Sequence, residues 1–187
     1  MKKIYIVTTY TGTLLSYLIR NISKTPYAHV SIALNKELRP MYSFGRLNPK
    51  TPIFAGFVEE NINEGLYAIK TNTMCRVYSL DVTDLQYEKL YKNIMNVSEN
   101  REEYDYDVKA LVCLSIDRPR EKEYKYVCSH FVADMMQKSD IHIIEKPAYE
   151  TRPNDFYNLE GLELEYEGLL SKYSTREPIY ITRVAEA

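Results

Sequence analysis

Three cysteines and three histidines are the side chains of this 187-residue chain best suited to act as nucleophile or base. Cys128 lies in YKYVCSHFVADMMQK, where a β-type run gives way to a helical apolar stripe of Phe131, Val132, Met135 and Met136. A thiol at a helix N-terminus meets the first free backbone N–H groups and the positive end of the helix dipole, and both favour a thiolate. The same N–H groups can bind the oxyanion of an acyl intermediate. Taken alone, the segment fits an inert core thiol equally well. Cys75, in TMCRVYSL, and Cys113, in ALVCLSI, lie inside apolar strand-like runs and read as buried and unreactive.

The histidines differ in what they can reach. His142, in SDIHII, reads as a surface or strand-edge residue. His130 follows Cys128 by two positions, so on one helix the two side chains point about 200° apart and His130 is badly placed to deprotonate the thiol. A zinc site on Cys128 and His130 needs two more clustered ligands, and the spacing offers none. His29 opens HVSIAL, in which Val30, Ile32 and Leu34 form a core face. The opposite face carries His29, Ser31 and Ala33, small side chains beside one imidazole, which lets another element approach the ring. A satisfied structural histidine remains the alternative for that strand read by itself.

The elements that must position these residues follow from periodicity. KKIYIV reads as a buried strand, and Leu14, Leu15, Leu18, Ile19 and Ile22 predict a helix over about 13–22. AHVSIAL, the turn-like NKEL and MYSFG read as an antiparallel hairpin. Residues 47–65 hold NPKTPIFAG and read as a long surface excursion. LYAIKTN and MCRVYSLDV read as strands, and Thr83 with Gln86 forms a capping box before a helix with Leu85, Leu90, Tyr91 and Ile94 inward. VKALVCLSI fits either a strand or a short helix. RPNDFYNL offers Pro153 at a first helical position, LELEYEG alternates as a strand, and PIYITRV ends the chain. Without repeats or linkers, one α+β domain over 1–187 is the expectation.

Composition narrows the function class. With 24 Lys+Arg against 26 Asp+Glu, net −2, no basic surplus points to nucleic acid. The start, MKKIYIV, lacks the longer apolar region of a secretory signal, and no stretch reaches the length of a membrane span. Three cysteines without regular spacing suit a reducing, cytoplasmic setting better than a disulfide framework.

YAHVSIAL followed much later by YVCSHFVADMM resembles the circularly permuted papain-like cysteine hydrolases. These are relatives of NlpC-type cell-wall peptidases and of lecithin retinol acyltransferase, in which His precedes Cys in the chain. GTLLSYLIR, MYSFGRLNP and RPNDFYNLEGLELEYEG extend the likeness over most of the chain, toward a Firmicutes-type group of small permuted members. The resemblance implies an antiparallel sheet packed against a helix carrying Cys128 as nucleophile, with His29 as base and no metal or organic cofactor. A thioester formed on Cys128 would be resolved by water or another acceptor; the substrate, expected to be a small peptide, amide or lipid, does not follow from the resemblance.

The third, orienting residue is expected on the strand after His29, where relatives offer Glu, His or Gln and MYSFGR has none. If the hairpin loop is Asn35 to Arg39, His29 faces Gly45 and Ser43 shares its face. If the turn is Lys36-Glu37, Tyr42 and Arg46 share it instead. Ser43 is preferred. Tyr42, Arg46, Phe54 and Phe57 are expected to line the substrate groove, with residues 47–65 as its rim or lid. The absent carboxylate leaves room for a non-catalytic binding module on the same fold.

Overall fold

The structure, a computed structural model, describes residues 1–12, 26–48, 51–157 and 159–175. The helix expected over 13–22 and the PIYITRV tail lie outside them. Strands β1 (Lys2–Tyr10), β2 (His29–Ala33), β3 (Met41–Asn48), β4 (Thr51–Glu60), β5 (Met74–Val82) and β8 (Glu163–Leu169) form one sheet in the order β4-β3-β2-β1-β5-β8. Every neighbouring pair is antiparallel. Short strands β6 (Asp105–Tyr106) and β7 (Lys125–Tyr126) pair in parallel beside it. Helices are α1 (Gly65–Ile69), α2 (Asp84–Glu99), α3 (Val108–Ser115) and α4 (Cys128–Gln137). The fold is α+β, an antiparallel sheet with a few helices. Among the described residues no helix is long and apolar enough to cross a membrane.

Both faces of the sheet are covered, so the central strands are apolar on both sides. Ile4, Ile6, Val30, Ile32, Phe44 and Phe57 face α2 and α4, while Tyr5, Val7, Ala33, Met41 and Val77 pack with Tyr67 of α1, Leu170 and Tyr173. α4 is buried almost all round, from Cys128 to Ala133 and again at Met135 and Met136, which marks it as the central helix of the core. α2 starts on the expected capping box, where Thr83 accepts from Gln86 and Gln86 from Thr83. Its buried stripe is Leu90 and Ile94, as expected, with Val97; Leu85 and Tyr91, at the margins of the expected face, point to solvent.

Two expected elements differ. LYAIKTN holds the short helix α1 rather than a strand: Gly65 takes φ 55°, a left-handed value that turns the chain just past β4. Within 47–65, residues 51–60 are no surface excursion but the edge strand β4, in register with β3 from Met41↔Glu60 to Arg46↔Ala55. An edge strand tolerates Pro52, which donates nothing to a ladder. VKALVCLSI is helical, begun by Asp107, whose carboxylate accepts from the Ala110 amide at 2.8 Å.

Candidate active site

Hairpin register decides what faces His29. Ile32 pairs with Tyr42 and Ala33 with Met41, which is the longer-loop alternative, and Asn35 closes that loop through its side chain to Arg39. Continued along the strands, this register sets His29 opposite Gly45. A methyl group at 45 would stand 3.4 Å from His29 Cε1 and 3.8 Å from Glu60 Oε1, so a larger side chain there would press on both.

The orienting residue is Glu60. His29 Nε2 lies 3.0 Å from its Oε1 and 3.2 Å from its Oε2. A carboxylate only accepts, so Nε2 is the donor. Glu60 ends the edge strand β4 and reaches His29 across β3, where Ser43 and Gly45 leave room above the sheet. Its neighbour Glu59 turns the other way and accepts from Ser98 of α2. Burial works against ionised Glu60, but the His29 charge and hydrogen bonds from His29, Ser31 and Tyr67 outweigh it and hold the carboxyl below its usual range. Burial likewise disfavours the imidazolium, and the Glu60 charge, the nearby Cys128 and the bond to Glu60 together lift His29 well above its usual value.

Cys128 is the first residue of α4. Its N-cap, Val127, is extended and supplies no side-chain hydrogen bond, so no capping side chain occupies the first-turn amides. Ser129 ties the same turn to the Thr151 carbonyl at 2.6 Å, anchoring it on the segment after the helix. Cys128 and His29 interact electrostatically, and Glu60 lies against Nε2 of the same ring. Tyr106, two residues ahead of α3, is half-buried and interacts electrostatically with Cys128 and with Arg46.

The other expected site residues fall elsewhere, and four of those expectations are corrected. Ser43 donates to the Val30 carbonyl at 2.7 Å and bridges β3 to β2, so its hydroxyl is spent on the backbone and does not orient His29. Tyr42 packs in the core against Phe57, ring centroids 6.3 Å apart. Phe57 is 4% exposed and wedged against Phe44 and Phe131, a core residue rather than a groove or lid residue. Phe54 is 64% exposed on the edge strand, not on a lid. Arg46 is half-buried near Tyr106, and burial lowers the basicity of its guanidinium.

The remaining thiols and rings are set apart by their surroundings. Cys75 is buried on the sheet, where desolvation pushes its thiol up to about 12. His142 is exposed. His130 is buried against Tyr126, centroids 4.5 Å apart, and burial lowers it to about 4, so it is neutral at ordinary pH. Among the described residues no group of three or more His, Cys, Asp or Glu is placed to hold a metal ion.

Sequence patterning alone does not disclose Glu60, because the prolines and glycines ahead of FVEE make the segment read as loop. Read as a strand beside MYSFGR, its alternation would have set Gly56, Val58 and Glu60 on the face of Ser43 and Gly45. No family model matches the chain, and no curated protein matches it.

Proposed function

We propose that this protein is a cysteine-dependent hydrolase on a circularly permuted papain-like fold, acting on an amide or ester carbonyl. The observation that carries this reading is the ring of His29, held by a half-buried carboxylate at 3.0 Å on Nε2 and close enough to Cys128 for the thiol to influence its charge. With Nε2–H committed to Glu60, Nδ1 is the nitrogen left to take the thiol proton. The order of the chain, His on a strand before Cys on the central helix, fits the permuted arrangement.

The chemistry then runs in two halves. His29 Nδ1 accepts the Cys128 proton, and the sulfur attacks the carbonyl carbon. The developing oxyanion meets first-turn amides of α4. As the tetrahedral species collapses, the C–N or C–O bond breaks and the imidazolium gives its proton to the leaving group. Water, deprotonated by His29, next attacks the thioester; the acid leaves and the thiol is regenerated. Throughout, Glu60 stabilises the imidazolium without itself becoming protonated.

A binding module without chemistry drew its support from the lack of a carboxylate beside His29, and Glu60 removes that support. Reaction with iodoacetamide tests the reading: Cys128 is the fast site at neutral pH, and His29→Ala slows it while His130→Ala and His142→Ala do not. Equal effects of His130→Ala and His29→Ala would mean that the base is not His29.

A further inference from the structure

We infer that Ser31 and Tyr67 are positioning residues for the reaction proposed above, holding Glu60 aimed at Nε2 of His29 and thereby selecting which ring nitrogen faces Cys128. The inference rests on that proposed reaction but concerns different residues. Ser31 Oγ donates to Glu60 Oε2 at 2.5 Å, and the Tyr67 phenol donates to the same oxygen at 3.4 Å. Ser31 Oγ also lies 3.2 Å from His29 Nε2. A serine hydroxyl has one proton, and here it goes to the carboxylate, so toward His29 the same oxygen can only accept. Nε2 must then carry a hydrogen, shared between Glu60 and Ser31. The neutral ring is forced into the tautomer whose free lone pair is on Nδ1.

Tyr67 completes the arrangement from a different element. Asn61 pins the turn after β4, bonding Glu64 at 2.8 Å and the Asn63 amide at 3.0 Å, and the chain returns as α1 with Tyr67 over Glu60. Because the phenol donates to Glu60, the Thr9 hydroxyl, 3.4 Å away, is left to donate to the phenol. Thr9, Ser31 and Tyr67 are all buried, at 0%, 0% and 5% exposure. Shielded in this way from bulk solvent, each hydroxyl left without its bond would be a costly buried polar group.

The test reads the titration of the His29 ring by NMR, together with the pH profile of Cys128 alkylation by iodoacetamide, in Ser31→Ala, Ser31→Thr and Tyr67→Phe. A charge-assisted bond at 2.5 Å outweighs one at 3.4 Å. Ser31→Ala is therefore expected to lower the His29 midpoint by about one unit and to slow alkylation at pH 7 by roughly tenfold. Tyr67→Phe keeps the ring packing and shifts the midpoint in the same direction by less. Ser31→Thr, which keeps the hydroxyl, restores the midpoint. If both Ser31→Ala and Tyr67→Phe leave the midpoint and the alkylation profile at wild-type values and only lower the melting temperature, the two residues are merely structural and the inference is overturned. Alkylation that ignores His29→Ala would instead strike the proposed reaction, a separate result from a separate variant.

Discussion

Glu60→Gln isolates the electrostatic part of the site, because the amide keeps the size of the side chain and can still accept from Nε2. Two unit charges 3.0 Å apart attract by about 5 kcal/mol at an effective dielectric near 20. Spread of charge over the imidazolium and the bond retained by Gln reduce the loss to roughly half of that, or about two pKa units for His29. Burial already works against the imidazolium, so once Glu60 is neutral only Cys128 still favours the charged ring, and the midpoint falls well below that of the wild type. The assay is Cys128 alkylation by iodoacetamide from pH 5 to 9, read by intact mass, with NMR titration of the ring alongside. Alkylation at pH 7 is expected to fall at least about tenfold, with the lower limb of the profile displaced. A Glu60→Gln protein that alkylates within twofold of wild type, with the His29 midpoint unchanged from wild type, would refute the reasoning.

Further outcomes follow from the packing and the charges. Gly45→Val places side-chain atoms against His29 Cε1 and Glu60 Oε1, so alkylation of Cys128 drops while Gly45→Ala, in ordinary contact at 3.4 Å, is tolerated. Phe57→Ala removes a ring packed on Phe44 and Phe131 and costs about 3–5 kcal/mol in denaturant titration. Phe54→Ser, at an exposed edge, stays within about 0.5 kcal/mol. The His29–Glu60 pair stabilises fully between the ordinary values of Glu60 and His29, 4.5 and 6.5. Its contribution fades as pH rises through the raised His29 value or falls through the lowered Glu60 value. His130 does the opposite: with its folded value near 4 against 6.5, acidification from 6.5 to 4 costs about 3 kcal/mol, which His130→Gln abolishes in chemical unfolding at pH 4.

How far the residues themselves disclosed this arrangement depended on how local the signals were. The Thr83–Gln86 box, the alternation of Val30 and Ile32 and the strand-to-helix change at Cys128 are short-range patterns, and each is where it was expected. Hairpin register was open between two loop lengths, and the Asn35 side chain, bonding Arg39 twice, favours the longer one. The edge strand β4 was hidden because Pro52 and Gly56 read as turn formers, although an edge position accepts both. With β4 hidden, Glu60 had no strand to come from, and Ser43 inherited its role by spacing alone. Phe54 and Phe57 then looked like a matched pair. They lie three residues apart on a two-residue period, so one is in the core and the other in solvent.

Acylation of Cys128 is the step on which the proposed function stands. Mixing the protein with p-nitrophenyl acetate and reading p-nitrophenol release and intact mass in the first turnover measures it directly. The expected result is a burst of p-nitrophenol with one acetyl group on Cys128 as a thioester, lost in Cys128→Ala and slowed in both His29→Ala and Glu60→Gln. A wild-type protein that shows no burst and no adduct on Cys128, or one whose acylation is indifferent to His29 and Glu60, would contradict it.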